Sequence, residues 1–324
     1  MDFGIIIKGC DDMEYFGANK IIKQHICQND LCTYFVGFDL DDNGNSRYRI
    51  NELIKLLIRV IPEFAFGHHL GQVTSNTEIV NTLCDAAKAV YSIDIFQKVR
   101  DIYLSGNSID DFVADKYLKR GEFGELILHL LLRDYKDTIP LISKIYFRDS
   151  LGTAVHGFDA IHIQESTKTL WLGESKLYTD GKQGVSALIN DIKEHFLFDY
   201  LNSEFAIVSR KIKTLDNIPE KDYWIDLLRE STTMRERLEN INIPLLCTYE
   251  SPLFTKYSDE RMAAFITEYE SEMLNLKQHF DTNNDHPLKS DLNIILLLFP
   301  VQCKKELVTR LHKNLSNIQS MGEL

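Results

Sequence analysis

Three ionisable residues, Asp159, Glu174 and Lys176, stand in two strand-like stretches, Gly157-Phe158-Asp159-Ala160-Ile161-His162-Ile163 and Leu170-Trp171-Leu172-Gly173-Glu174-Ser175-Lys176. Side chains alternate along an extended strand, so Asp159 shares a face with Ile161 and Ile163, and Glu174 and Lys176 share one with Leu170 and Leu172. An acid on an apolar face is costly unless something compensates it. The polar link 164–169 reads as a hairpin turn that pairs Ile163 with Leu170 and sets Asp159 opposite Glu174. Two carboxylates so placed, with an ammonium one step along, suit a hard divalent cation held by oxygen ligands. Such a centre stabilises charge on a phosphate and acidifies water, which is the chemistry of phosphodiester hydrolysis. Asp159 and Glu174 are the metal ligands in this reading, helped by the backbone carbonyl of Ser175, and Lys176 positions or polarises the attacking water. The bland alternative is an edge-strand ion pair between Glu174 and Lys176, with Asp159 capping a turn.

The flanking sequence supplies elements to position these groups. A helix over 119–133 has Phe123, Leu126, Ile127, Leu130 and Leu131 at core spacing, with Glu122 and Glu125 in its first turns. The two acids are three residues apart, so both can face a sheet edge. A strand follows at 141–147, then the Asp159 and Glu174 strands. Thr179-Asp180-Gly181 breaks the chain before a helix over 182–199, and 205–209 reads as a further strand. The order is helix, three strands, helix, strand. Lys182 and Gln183 open the second helix, where exposed N–H groups and side chains can touch a phosphate. His162 falls on the face opposite Asp159 and reads as a packed or surface histidine; Trp171 and Tyr178 read as core or strand-face aromatics.

Residues 1–114 read as an α/β unit: a strand at 33–40, the turn Asp41-Asp42-Asn43-Gly44-Asn45, a return strand at 47–50, and helices at 51–60 and 77–91. Residues 216–324 alternate helix 223–238, strand 243–249, helix 259–280, strand 293–299 and helix 304–318. A polar segment, 281–291, is expected to be a disordered linker. This tail carries no signature of chemistry and reads as structural or partner-binding.

The 324 residues are 44% hydrophobic and 26% charged, an ordinary globular balance, and the longest apolar run is too short to span a membrane. Six scattered cysteines and a start without a basic, apolar leader point to a reducing cytoplasm. Cys27 and Cys32 beside His25 lack the second ligand pair of a zinc site. A net charge of −12 conflicts with a nucleic-acid substrate unless a local basic strip, such as Arg210-Lys211-Ile212-Lys213 or 116–120, or a partner subunit supplies the grip. No phosphate-binding loop, serine elbow or His-Glu-x-x-His helix is present, which argues against ATP hydrolysis by this chain.

Asp159 followed by Glu174-Ser175-Lys176, in that element order, resembles the PD-(D/E)xK nuclease superfamily, with Phe158 where its motif has proline. More narrowly, Arg120-Gly121-Glu122-Phe123-Gly124-Glu125, Gly157-Phe158-Asp159 and Leu172-Gly173-Glu174-Ser175-Lys176 resemble the nuclease subunit of Hachiman-type antiphage defence systems. The likeness runs over most of the chain. It implies an α/β fold with a restriction-endonuclease-like core at 115–215, flanked by units at 1–114 and 216–324. It further implies a Mg²⁺-dependent deoxyribonuclease, with Mn²⁺ substituting, working beside a superfamily 2 helicase subunit (HamB-like) that carries much of the DNA affinity. A third acid from the first helix is usual in the superfamily, and the Gly-x-x-x-Glu pattern from Gly121 favours Glu125 over Glu122. The rival reading is an inert nuclease-like scaffold that binds DNA or docks the helicase.

Overall fold

The computed structural model describes residues 15–67, 78–90, 121–143, 157–215 and 218–321. Its strands are β1 (Ile22–Cys27), β2 (Leu31–Val36), β3 (Phe38–Leu40), β4 (Ser46–Tyr48), β5 (Ile139–Ser143), β6 (Ala160–Gln164), β7 (Thr169–Leu177), β8 (Ile241–Glu250) and β9 (Asn293–Val301). β3 and β4 form the expected hairpin, in which Gly44 takes a φ of 78°, a conformation that strains residues with a side chain. The other seven strands build one sheet in the order β1-β2-β9-β8-β7-β6-β5. Its centre, β2-β9-β8-β7, is parallel, and the pairings outside it are antiparallel. Parallel strands are covered on both faces, which matches the near-continuous apolar runs of β8 and β9.

The helices are α1 (Ile50–Phe66), α2 (Ile79–Val90), α3 (Glu122–Lys136), α4 (Gly181–His195), α5 (Phe198–Thr214), α6 (Lys221–Leu227), α7 (Met234–Glu239), α8 (Leu253–Lys256), α9 (Ala263–Asn283) and α10 (Lys304–Met321). α3 packs on β6 and β7 beside α1, while α4 packs on β7 and β8 beside α9. A Cβ on Gly173 would lie 2.8 Å from Leu128 of α3, whereas the adjacent Glu174 reaches His195 of α4. Alternation along β7 therefore puts α3 and α4 on opposite faces of the sheet. No helix among the described residues is long and apolar enough to cross a membrane.

Several expectations need correction. The strand expected at 205–209 is part of helix α5, because Leu201, Phe205, Val208 and Ile212 form one buried stripe at helical spacing. The strand that completes the sheet beside β7 is β8, from the C-terminal segment, so strands of all three sequence segments share one sheet. The helix expected over 223–238 is two short helices, α6 and α7, the second started by Thr233 accepting from the Glu236 N–H. The segment expected as a disordered linker, 281–291, instead completes α9 through Asn283 and continues into ordered turns, with Asn284 and His286 buried and the His286 N–H bonded to Asn284. β1 was not foreseen: its Lys23, Gln24 and His25 are exposed, so an edge strand there shows no apolar alternation. The basic strip 116–120 and the end of the strand expected at 141–147 lie outside the described residues.

A buried polar network fastens α3 to α1 and to the sheet. Arg133 of α3 donates from Nε to Glu63 Oε1 of α1 at 2.6 Å and also reaches the Thr138 carbonyl. His129 Nε2 lies 3.2 Å from the same Glu63 oxygen. Thr138 donates its hydroxyl to the Leu132 carbonyl at 2.9 Å, so it accepts from His162 Nδ1 at 2.8 Å. Burial pushes His129 down and His162 well below the usual imidazole range, with the neighbouring Arg133 charge opposing protonation of both. Both rings take up a proton less readily in the folded chain than in the unfolded one, where they do so near pH 6.5. Their contribution to stability is complete above that pH and is lost as pH falls below it. This contribution falls between about pH 7 and pH 5, so a His129→Gln/His162→Gln variant is expected to lose less urea resistance than the wild type over that range.

Candidate active site

The hairpin register is the expected one: Ile163 faces Leu170, and pairing continues to Ala160 opposite Gly173. There the two strands part. β7 runs on to Leu177 in parallel register with β8, so its β6-side edge opens from Glu174 onward. The N–H groups of Leu170 and Tyr178 point to the β8 side, bonding Asn240 and Thr248 carbonyls, so by alternation the N–H of Ser175 points to the β6 side. A continued ladder would give that N–H to the carbonyl of Phe158. It goes instead to Asp159 Oδ2 at 2.9 Å, and Ser175 Oγ donates to the same oxygen at 3.0 Å.

Asp159 thus sits one residue beyond β6, its N–H on the Gly173 carbonyl at 2.9 Å and its carboxylate closing the fork. The expected role of Ser175 is the carbonyl; what is observed is that its N–H and hydroxyl hold Asp159. The carbonyl of a strand residue points to the same side as its N–H, so that of Ser175 also faces the fork.

Glu174 and Lys176 project to the α4 face. Glu174 is 2% exposed and Asp159 5%. Burial, reinforced by the Asp159 charge, pushes the Glu174 carboxyl up to about 7, against the pull of His195. His195 Nδ1 lies 2.9 Å from Glu174 Oε1. Lys176 Nζ lies 2.6 Å from Asp191 Oδ2. Burial works to lower the Lys176 pKa, but Asp191, Glu174 and Asp159 overcome it and the net shift is upward. Glu204 of α5 is another buried acid, pushed up to about 7 by burial and countered by His195.

On the opposite face, the first turn of α3 packs at the same level. A Cβ on Gly124 would lie 3.3 Å from Ser175 Oγ, the atom that holds Asp159. Glu125, the next residue, is buried, and its carboxylate turns back toward Gly121 at the positively polarised helix start. Glu122 is only half-buried. Of the two helix acids, Glu125 is the one that is enclosed.

Lys182 and Gln183 are not brought to this site. Both are exposed, about 13 Å of helix axis separates Lys182 from Asp191, and Asp180 caps the helix start by accepting the Gln183 N–H at 2.8 Å. His162 packs in the network under α3, as its strand face requires, and Trp171 is buried. The sequence reading missed Asp191 and His195. Their signal was there as an acid and an imidazole four residues apart in an amphipathic helix, but nothing local said that this helix would lie on β7.

Among the described residues no three His, Cys, Asp or Glu side chains gather into a ready-made metal cluster. The oxygen donors at the fork are two carboxylates and one main-chain carbonyl. A comparison with curated proteins gave no match. The family model of HamA matches residues 17–315, from the start of the described fold to the last helix, and the chain belongs to the HamA family of Hachiman antiphage defence systems.

Proposed function

We propose that this chain is a metal-dependent deoxyribonuclease subunit of a Hachiman defence complex, with the β6–β7 fork and its flanking helices α3 and α4 as a restriction-endonuclease-like catalytic core. The observation that carries the reading is the meeting of two buried carboxylates at the open end of one hairpin, Glu174 on β7 and Asp159 held by the Ser175 beside it, with Lys176 on the same strand face as Glu174; the Asp159 charge adds to the burial that pushes Glu174 up. A buried carboxylate set beside the charge of a second one is a poor structural choice and a good cation seat. The donor set fits Mg²⁺ or Mn²⁺ in kind: hard oxygens from Asp159, Glu174 and the Ser175 carbonyl would hold it, leaving room for water and a phosphate oxygen. A divalent ion there supplies Lewis-acid stabilisation of phosphate charge and a more acidic bound water. Lys176 presents an ammonium to the water or to the developing charge, and Glu125 adds a further acid at the corner where Ser175 holds Asp159.

The overall charge of −12 suggests where affinity comes from. An acidic chain gains little from counterion release on DNA, so a superfamily 2 helicase partner would provide most of the grip and place the strand at the fork. The test is direct. The purified chain, alone and with its helicase, is incubated with supercoiled plasmid in Mg²⁺ or Mn²⁺. Nicking or degradation that EDTA abolishes and Mn²⁺ restores is expected, and it should be stronger and more salt-dependent with the helicase, whose phosphate contacts supply the grip. Plasmid left intact by the assembled complex with metal present would overturn the reading.

A further inference from the structure

The side chains that meet Glu174 and Lys176 come from a helix to which no role in the chemistry has yet been given. Glu174 and Lys176 are two residues apart on β7, a rise of about 6.6 Å. Asp191 and His195 are four residues apart on α4, a rise of about 6 Å. Because α4 follows β7 through a short turn and runs back along it, the two ladders face each other in reverse order. Asp191 lies on Lys176 at 2.6 Å and His195 on Glu174 at 2.9 Å. Two long side chains of the strand are thus each fixed by one side chain of the helix.

The helix end is itself clamped. The His195 ring stacks on Tyr200 of α5 with centroids 5.0 Å apart and planes 14° from parallel. Tyr200 meets Phe158 edge-on at 6.3 Å, and Phe158 packs on Phe196 at 5.2 Å. Phe158 immediately precedes Asp159. The same aromatic cluster therefore anchors the imidazole that holds Glu174 and the backbone that carries Asp159.

We propose that Asp191 and His195 are positioning residues of the active site: Asp191 aims the Lys176 ammonium, and His195 fixes the Glu174 carboxylate in the orientation that binds the cation. This rests on the nuclease reading and assigns the site a second tier that the sequence motif does not contain. The lysine stem has four rotatable bonds, and an ammonium that wanders loses most of its effect on a transition state. Asp191 restricts it without removing its charge. Carboxylates that bind metals are themselves held by hydrogen bonds, and losing such a partner weakens metal binding about 10–100-fold.

The two roles separate by measurement on the full chain. Asp191→Asn is expected to lower kcat about 10–100-fold with KM for DNA and Mn²⁺ affinity by calorimetry unchanged, and Asp191→Glu to recover part of the loss. In a Lys176→Ala background Asp191→Asn should cost nothing further, because the residue acts through the lysine. His195→Ala is expected to raise the Mn²⁺ dissociation constant about 10–100-fold in the absence of DNA, with His195→Gln less affected. If the wild-type complex cuts DNA while Asp191→Asn keeps its kcat and His195→Ala keeps its Mn²⁺ affinity, this inference is wrong and the nuclease reading stands. If Asp191→Asn and Lys176→Ala lower kcat additively, Asp191 does not act through Lys176. A wild-type complex that binds no Mn²⁺ and cuts nothing overturns both readings.

Discussion

Glu174→Ala combined with Lys176→Ala is expected to lower DNA cleavage by the assembled complex by about 10³-fold or more while leaving the chain folded. The argument is electrostatic on both counts. Glu174 would be half of the carboxylate pair that seats the cation, and Lys176 an ammonium on the same strand face, so removing both takes away the stabilisation on which phosphate attack depends. Neither residue holds the fold together. Glu174 is ionised against burial and against the Asp159 charge, so Glu174→Gln should fold at least as stably as the wild type, by on the order of 1–3 kcal/mol at pH 8. Lys176→Ala leaves Asp191 without its ion-pair partner and should cost about 1 kcal/mol, since that pair keeps some access to water. A large loss of cleavage with little or no loss of thermal stability marks a site kept for function. Plasmid degradation and the melting temperature, read on the same preparations, check this. Cleavage surviving in the double variant would remove the basis of the functional proposal.

The opposite pattern is expected at Glu63. Glu63→Ala should destabilise the protein by about 3–5 kcal/mol, because it removes the carboxylate to which the buried Arg133 guanidinium donates from Nε and Nη2. His129 loses its acceptor at the same time. Taking out both charges at once, as Glu63→Leu with Arg133→Met, should recover much of the loss, since the cost lies in the uncompensated charge and not in the absence of the pair. Urea titrations of the three proteins at pH 8, where both histidines are neutral in either state, measure this directly. Because α3 also carries Glu125, the single variant should lose cleavage activity in step with its folded fraction, whereas the paired variant should keep most of it. If Glu63→Ala unfolds at the wild-type urea concentration, the network does not anchor α3 as described.

How much of this was legible before any tertiary contact was known depends on the range of the signal. The β6–β7 register followed from the polar link and the alternation on either side of it, since a one-residue slip would turn Ile163 and Leu170 out of the core. α3, α4, α9 and α10 followed from apolar residues at helical spacing. α5 did not, because a five-residue apolar run fits a strand as well as one turn of a buried helix, and only the stripe from Leu201 to Ile212 distinguishes them. The sheet order was not legible at all. β8 lies in sequence well beyond β7 and pairs with it through packing that no local window contains.

The same division runs through the site. Residue types and their spacing determined that Asp159, Glu174 and Lys176 would stand at the same end of one hairpin, because a strand's alternation and a hairpin's register are properties of the chain within a few residues. The tertiary structure decided the rest: that β6 stops one residue short of Asp159 and leaves an open fork, that Ser175 holds the aspartate, that Glu125 and not Glu122 is enclosed, that Lys182 and Gln183 stand away, and that α4 lays Asp191 and His195 on the strand. Each of these is settled by which helix packs on which face, a competition between distant apolar surfaces that short-range periodicity does not encode.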